Sequence, residues 1–464
     1  MNKDKELFEG SSVPRTIMKF TIPTVLSQLI TLLYNLADTF FVGHTNDPSQ
    51  IAALALSFPL FMMLTMIGNL FGIGANSFIS RSLGQGDRDG AKKAATMAFY
   101  CAASTVAVYI VIMLLFQRPI LTAIGANTEA AYKATAEYLT WTVVWGGLPT
   151  IGNLMLGHLI RAEGNTKQAS IGMAIGGILN IILDPIFIRA MGKGAAGAGL
   201  ATAISNLVAF IYLYMVVVRT DNTVISLNPK NFKLDGGKLK AILLVGLPSA
   251  TIIILGATAN MILNDLMSDY GDVALASYGI VQKFGSIVVQ VTVGVTQGVM
   301  PLIGFSYGSK NLKRVRELNK YSFIILGIYS VGVLVFIELF APLMMRAFTA
   351  EAATVALGTY FARLWIISAP GMSLSNLFGS IFQAVGKWKE GLAIPIVRQG
   401  FILIPLNIIL GKILGQFGLI IAQPIADTTV LFFGIFMYLR LHKNLKQEEA
   451  EIEAKKAAAA EQTA

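Results

Sequence analysis

Long apolar stretches separated by short polar gaps run through nearly the whole chain. A helix needs about 17–25 mostly apolar residues to cross a bilayer. Helices are favoured there because every backbone polar group must be paired within the chain. The pattern therefore predicts an all-α membrane protein with twelve spans. The predicted spans lie near residues 16–42, 51–80, 94–117, 134–160, 168–189, 197–218, 240–267, 273–305, 318–341, 356–384, 391–412 and 417–440.

The composition agrees with this pattern. The chain has 464 residues, of which 55% are hydrophobic and only 13% are charged, and its mean hydropathy is +0.65. Soluble globular chains carry about 25% charged residues. Most of the surface is therefore expected to face the lipid bilayer.

The Lys and Arg residues between the spans lie mostly on one side. With the N-terminus placed inside, the outer gaps hold only Arg118, Lys133, Arg189, Lys193, Arg346 and Lys412. Such a bias is typical of cytoplasmic loops, so both termini are predicted to be cytoplasmic. The net charge of +10 is then a topology signal, and a nucleic-acid partner is excluded.

Reactive chemistry is not indicated by the sequence. The single Cys101 lies in an apolar stretch, which excludes a disulfide framework and a Cys metal site. The sequence contains no Walker A motif, no zinc-ligand spacing and no nucleophile with a matching base. No cleavable signal peptide is predicted, because the first apolar stretch is too long. We expect a non-enzymatic protein without a cofactor. With no nucleotide site in the sequence, any transport by these spans would have to run on an ion gradient.

The two halves of the chain resemble each other at an offset of about 222–225 residues. The stretch "GIGANSFISRSLGQGDRDGAKKA" aligns with "GVTQGVMPLIGFSYGSKNLKRVR". The aligned positions include Pro23 with Pro248, Gly74 with Gly298, Gly84 with Gly308, Pro149 with Pro370, Gly164 with Gly386, and Gly199 with Gly418.

An even number of helices in each copy places both copies in the membrane the same way up. Such parallel repeats are related by an axis along the membrane normal, with the substrate path between them. The predicted domains are an N-lobe (1–220), a cytoplasmic linker (221–239), a C-lobe (240–442) and a charged tail (443–464), which is either a solvated helix or disordered.

Polar residues inside the N-lobe spans are candidates for function, because ionisable groups in a membrane are costly. Gln28, Thr31, Asn35 and Asp38 share one face of the first helix. The alternative for Asp38 is a structural hydrogen bond to a neighbouring helix.

The fifth and sixth helices add a second polar group. Asn180 lies one turn before Asp184, and Thr202 shares a face of the sixth helix with Asn206. The alternative for Asp184 is helix termination before Pro185. The functional hypothesis places Asp38, Asn180, Asp184 and Thr202 around one cation site, since their oxygens are hard ligands.

The C-lobe is polar in a different way. Lys283, Arg363 and Arg398 lie within spans, and most are predicted to form structural salt bridges with Asp265, Glu338 or Asp427. His158 is predicted to be a packed polar residue rather than a proton relay. The residues predicted to line the substrate cavity are Gln28, Thr31, Asn35, Asn153, Gln282, Lys283, Ser286 and Gln290.

The chain resembles the multidrug and toxic compound extrusion (MATE) family, in its bacterial MepA-like and DinF-like branch. The resemblance rests on "IPTVLSQLITLLYNLADTFFVG", "GANSFISRSLGQGD", "RAEGNTKQA", "GILNIILDPIFI" and "GAGLATAIS", and covers about residues 12–442. It implies two six-helix lobes related by pseudo-two-fold symmetry, a V shape with a central cavity, and a monomer in the bacterial inner membrane.

The resemblance also implies antiport, in which H⁺ or Na⁺ enters while an amphipathic, often cationic compound leaves. Its N-lobe cation site falls on Asp38, Asn180, Asp184 and Thr202. Some members carry C-lobe acids in the seventh and tenth helices. Here Asp265 lies near the outer end of the seventh helix, and the tenth has Gln383 instead of an acid. Coupling is therefore expected in the N-lobe only.

Two alternative functions remain open at this stage. A lipid-linked sugar flippase of the same superfamily would use Lys283, Arg363 and Arg398 to bind an anionic lipid. A membrane-embedded enzyme would need a reactive group that the sequence does not provide. Transport of a dye cation rather than an anionic lipid would distinguish the antiporter from the flippase. Chemical alteration of a substrate by the purified protein would support the enzyme.

Overall fold

The computed structural model describes residues 3–45 and 47–461. Helices joined by short turns make up this part of the chain, and it contains no β-strand. The all-α prediction is thus confirmed. Residues 1–2 and 46 of the predicted N-lobe and residues 462–464 of the predicted tail lie outside the described residues.

In its described residues, the first half of the chain contains nine α-helices and two π-helical segments. The segments are Thr140–Trp145 and Pro185–Ala190. The helices are α1 (Lys3–Glu9), α2 (Val13–Gly43), α3 (Pro48–Gln85), α4 (Arg88–Leu115), α5 (Gln117–Ala123), α6 (Glu129–Leu139), α7 (Gly147–Ala162), α8 (Thr166–Asp184) and α9 (Gly194–Arg219).

The described part of the second half contains eight α-helices and follows a 3₁₀ turn at Pro229–Asn231. A π-helical segment, Ile396–Leu403, lies between its sixth and seventh helices. The helices are α10 (Gly236–Ser268), α11 (Asp272–Gly308), α12 (Leu312–Phe348), α13 (Ala352–Ile366), α14 (Ala369–Ala384), α15 (Trp388–Pro395), α16 (Ile404–Leu414) and α17 (Gln416–Glu461).

Ten helical runs in the described chain are long and apolar enough to cross a membrane, and two bent pairs bring the number to twelve if each pair is one span. The pairs are Glu129–Trp145 with Gly147–Ala162, bent by 50°, and Ala352–Ile366 with Ala369–Ala384, bent by 43°. The twelve predicted spans are therefore in the right places. The bends were not predicted, because both breaks lie inside apolar stretches.

Large apolar side chains cover the outside of many of these helices. Leu115, Met261 and Phe401 are among the most exposed. Soluble monomers rarely expose broad apolar surfaces, whereas in a membrane such side chains face lipid. Between helices, glycine allows close packing: a Cβ on Gly152 would meet the ring of Phe210. Small residues at helix contacts are typical of membrane proteins.

The internal duplication is visible in the backbone. Gly164 and Gly386, which align in the sequence, follow the ends of α7 and α14 with φ of +87° and +79°. In both caps the next amide donates to the carbonyl five residues back, at 3.1 Å for Asn165 and 2.8 Å for Lys387. Glycine is favoured here because its φ is positive. The two bent pairs recur at equivalent places as well.

The described residues form two compact units that do not follow chain order. Unit 1 comprises Met1–Thr21, Arg81–Gly86 and Ile254–Ala464, and unit 2 comprises Ile22–Ser80 and Asp87–Ile253. This division does not test the predicted lobe boundaries at residues 220 and 240, which stay a prediction.

Within unit 1, both ends of the chain dock on the turn between α11 and α12. Phe8 of α1 stacks on Phe305, with ring centroids 4.4 Å apart. Arg314 Nη2 donates to the Phe8 carbonyl at 2.7 Å. In the predicted tail, Glu448 lies 2.5 Å from Lys310 Nζ. The described part of the tail begins as a helical continuation of α17.

Within unit 2, the predicted linker packs on the helices before it. Thr96 Oγ1 donates to the Ser226 carbonyl at 2.8 Å, and Tyr100 OH donates to Leu227 at 2.6 Å. Glu163 accepts from the Thr223 hydroxyl at 2.8–2.9 Å. The linker is therefore held by side chains from α4 and from the α7–α8 turn.

Candidate functional site

Asp38 lies on α2 with only 9% of its surface exposed. It faces Asp184 and Asn180 of α8, so the structure brings together the two acids that the sequence places 146 positions apart. An ionised carboxylate only accepts hydrogen bonds. Two carboxylates that face each other in a buried site therefore repel, unless a proton or a cation lies between them.

Asp184 occupies the last position of α8, one turn beyond Asn180. It is fully buried. Pro185 follows, yet the chain continues in a π-helical segment to Ala190, with Met191 N donating to Ile186 O at 2.9 Å. The regular α-helix thus ends at Asp184 as the alternative predicts, but the chain stays helical beyond it. The wider π turn accommodates the missing proline N–H, and such turns are frequent at functional sites.

Thr202 of α9 closes the group from a third helix. Asn180 Nδ2 donates to Thr202 Oγ1 at 3.4 Å, and Asn206 Nδ2 donates to the Thr202 carbonyl at 3.0 Å. Asn153 of α7 donates to Asn206 Oδ1 at 2.9 Å. A line of hydrogen bonds therefore runs from Asn153 of α7 through Asn206 and Thr202 of α9 to Asn180 of α8.

Several buried oxygens in this group lack a hydrogen-bond donor. They are Asp38 Oδ1, Asn180 Oδ1, Asp184 Oδ1 and Asp184 Oδ2. Buried polar groups are nearly always paired, and leaving one unpaired is costly. Carboxylate, amide and hydroxyl oxygens that converge in this way are the ligands that hard cations prefer.

Two tyrosines beside the acids escaped the sequence prediction. Tyr34 precedes Asp38 by one helical turn and interacts with it electrostatically, as does Tyr138 of α6. Tyr138 also packs against Val42 and Ile188. The spacing of Tyr34 to Asp38 was a usable signal. No sequence signal pointed to Tyr138, because only the tertiary fold brings α6 to α2.

A small cavity of about 70 Å³ lies in unit 2, and its wall contains Asn180 and Thr202 of the polar group but neither Asp38 nor Asp184. Its polar wall includes Thr31, Asn153, Asn180 and Thr202. Drug-sized ligands occupy pockets of about 300–1,000 Å³. The cavity therefore suits a cation or a few water molecules and is too small for a drug.

The remaining α2 candidates divide between the inside and the outside of unit 2. Gln28 is buried, whereas Asn35 is exposed. Asn35 Nδ2 donates back to the Thr31 carbonyl at 2.9 Å. Neither residue is in the wall of the small cavity.

The four α11 candidates belong to unit 1. Gln282 Nε2 donates to Asn260 Oδ1 at 2.5 Å and also to the Tyr278 hydroxyl. Ser286 Oγ donates to the Gln282 carbonyl at 2.9 Å. Lys283 and Gln290 are half-buried. Their predicted contact with substrate stays a prediction.

The cations of the unit 1 spans form the expected kind of ion pair in two cases. Arg398 Nε lies 2.5 Å from Asp427 Oδ1, and Arg363 Nε lies 3.7 Å from Glu338 Oε2. Asp427 is fully buried, and it also accepts from Gln423 at 2.8 Å. The charge of Arg398 is thus balanced within the protein, which reduces its value for binding an anionic lipid.

His158 is buried on α7, and its Nε2 lies 3.1 Å from Asn69 Oδ1. Asn76 Nδ2 donates to the His158 carbonyl at 3.0 Å. These contacts fit the predicted packed polar residue.

Comparison with known proteins gives a family match in each half of the chain. The profile of the MatE family matches residues 23–186 and again residues 248–409. The two matches begin and end at nearly the same offset as the internal duplication, so they support it independently.

Curated relatives match the chain over almost its full length. Multidrug export protein MepA of Staphylococcus aureus (strain MRSA252) is 30% identical over 97% of this chain and 99% of that protein. MepA of Staphylococcus haemolyticus (strain JCSC1435) is 28% identical with the same coverage.

Solved structures agree with the described fold. A crystal structure of MATE in the straight conformation has a TM-score of 0.90 and 25% identity, and it covers 96% of this chain and 100% of that one. MATE in the bent conformation has a TM-score of 0.88 at 25% identity.

Proposed function

The chain belongs to the MatE family, and from this premise we propose that it is a cation-coupled antiporter that exports amphipathic, often cationic small molecules. One observation carries the proposal. Two buried carboxylates, Asp38 and Asp184, face each other beside oxygens that have no donor. Such a group is stabilised by a positive charge, and a positive charge moving down its gradient can drive export.

The donor set of this site suits either H⁺ or Na⁺. Asp38, Asp184, Asn180 and Thr202 would hold the ion. Sodium would use the carboxylate, amide and hydroxyl oxygens together, whereas a proton would need only one carboxylate. The proposed cycle uses only this ion and the drug, and it needs no cofactor.

Coupling requires that the cation binds one conformation better than another. A ligand shifts a conformational equilibrium only by its differential affinity for the two states. The available drive is about 2.3 kcal/mol per charge per 100 mV and about 1.4 kcal/mol per pH unit. One or two cations per cycle therefore suffice to concentrate a compound roughly tens- to thousands-fold, since about 1.4 kcal/mol corresponds to tenfold.

The drug and the cation are assigned to different places. The cation is assigned to the acids and to the adjoining small cavity in unit 2, which shares Asn180 and Thr202 with that group and is too small for a drug. Gln282, Lys283, Ser286 and Gln290 on α11 are the proposed drug-contacting face, and Met and Phe side chains supply adaptable apolar contacts.

Placement in the membrane follows from the charged loops. We assign the protein to the bacterial inner membrane as a monomer with both termini in the cytoplasm. The concentration of Lys and Arg in alternate gaps supports the cytoplasmic position of the termini.

The test is transport of a fluorescent cationic dye in vesicles that contain the purified protein. A pH gradient and a Na⁺ gradient are imposed separately, and we expect one of them to drive dye movement at least tenfold above protein-free vesicles. No response to either gradient would contradict antiport. Selective transport of a labelled anionic lipid would support the flippase instead.

A further inference from the structure

Arg161 has no part in the coupling scheme above, although it is among the largest fully buried side chains, with 1% of its surface exposed. It lies in the last turn of α7. The sequence pattern counts it among the inner-side loop charges, so its burial is a correction to that assignment. A guanidinium keeps its charge in proteins, so this is a permanent positive charge inside unit 2.

The surroundings do little to balance that charge. Arg161 Nη2 contacts Met173 Sδ, and Nε has no hydrogen-bond partner. No ion pair involves Arg161 in the part of the chain that the structure describes. The acid two positions on, Glu163, accepts instead from the Thr223 hydroxyl and the Val224 amide.

An unbalanced buried charge is costly. A methionine would fill a similar volume without that cost, so packing alone does not account for the arginine. The charge therefore needs an explanation in terms of what lies next to it.

The neighbour of Arg161 is the small cavity of unit 2. Met173, which contacts Arg161, is part of the cavity wall, together with Asn180 and Thr202. Along α8, Met173 lies two turns before Asn180 and three before Asp184. Arg161 thus lies behind the Met173 part of the cavity wall, at the end of α7 that the loop charges assign to the cytoplasm, whereas Asp184 is at the far end of α8.

We propose that Arg161 is an electrostatic barrier that stops the coupling cation from leaving this cavity directly towards the cytoplasm. A fixed positive charge in a poorly solvated region repels a cation strongly, and arginines exclude cations from pores in this way. The proposal rests on the proposed antiport. Its consequence is that the cation can leave only when the protein changes conformation, which keeps ion and drug movement coupled.

The test measures cation leak without drug, in vesicles containing wild type, Arg161→Met, Arg161→Gln or Arg161→Lys. Both neutral variants are expected to leak about tenfold faster and to export less dye for the same gradient. Arg161→Lys keeps the charge and should stay as tight as wild type. His158→Asn, one turn away, is the matched control and should not leak.

The route of the leak is tested by adding Asp184→Asn to Arg161→Met, which should return the leak to the wild-type level. Equal leak in wild type and in both neutral variants would overturn the proposed barrier role of Arg161. A leaky Arg161→Lys variant would overturn it too, as would a leak in Arg161→Met that Asp184→Asn does not reduce. These failures differ from failure of the proposed function, in which wild type itself shows no gradient-driven dye movement. If Arg161→Met does not elute as a folded protein, Arg161→Gln and Arg161→Lys still decide.

Discussion

Asp184→Asn is expected to reduce gradient-driven dye export to the level of protein-free vesicles, and Asp38→Asn to do the same. Asparagine keeps the size of the side chain but removes the charge that attracts the cation. Since the two carboxylates face each other in one buried site, each single variant should abolish gradient-driven dye export rather than halve it. The measurement is initial dye flux under whichever gradient drives the wild type.

The matched control for these variants is Asp265→Asn. Asp265 is an exposed acid on α10, and its replacement should leave export near the wild-type rate. Normal export by both Asp38→Asn and Asp184→Asn would rule out the N-terminal cation site. Loss of export in Asp265→Asn would show that coupling is not confined to the first half of the chain.

Arg398→Met or Asp427→Leu alone is expected to destabilise the protein by about 3–5 kcal/mol, because either change leaves a buried charge without its partner. Asp427 is fully buried and lies 2.5 Å from Arg398. Replacing both residues together should recover most of that loss, since neither charge then remains. The midpoint of thermal unfolding in detergent reports the difference between the single and double variants.

Asp89→Asn is the control for the ion pair. Asp89 lies 2.5 Å from Lys93 on the exposed start of α4, where solvent screens the pair and it contributes little to stability. It should barely move the unfolding midpoint. A double variant as unstable as the worse single one would show that the pair acts through its other contacts, such as the hydrogen bond from Gln423.

The positions of the spans and of the two acids could be predicted because they depend on local sequence. Apolar length determines a membrane helix, and Asp38 and Asp184 are conspicuous as acids within apolar stretches. Asn180 could be added from its one-turn spacing to Asp184. The sequence could not show that α2 and α8 bring the acids face to face, although the hypothesis of one site required it.

Other features depend on tertiary structure and were missed. The bends after Trp145 and Ile366 lie inside apolar stretches that read as continuous. The π turn after Asp184 keeps the helix going where Pro185 suggested an end. Arg161 appeared to be a loop charge, because its burial against Met173 depends on how α7 packs on α8. Each of these results is a matter of packing rather than of sequence periodicity.

The central claim is that a cation bound at Asp38 and Asp184 weakens drug binding at a separate place on the protein. Equilibrium dye binding to the purified protein tests it most directly. Because coupling is reciprocal, the dye Kd of the wild type should rise about tenfold or more as the pH falls or as Na⁺ is added at high pH. The Asp38→Asn, Asp184→Asn double variant should bind dye with a Kd that neither change affects. A double variant with the same cation dependence as the wild type would contradict the account.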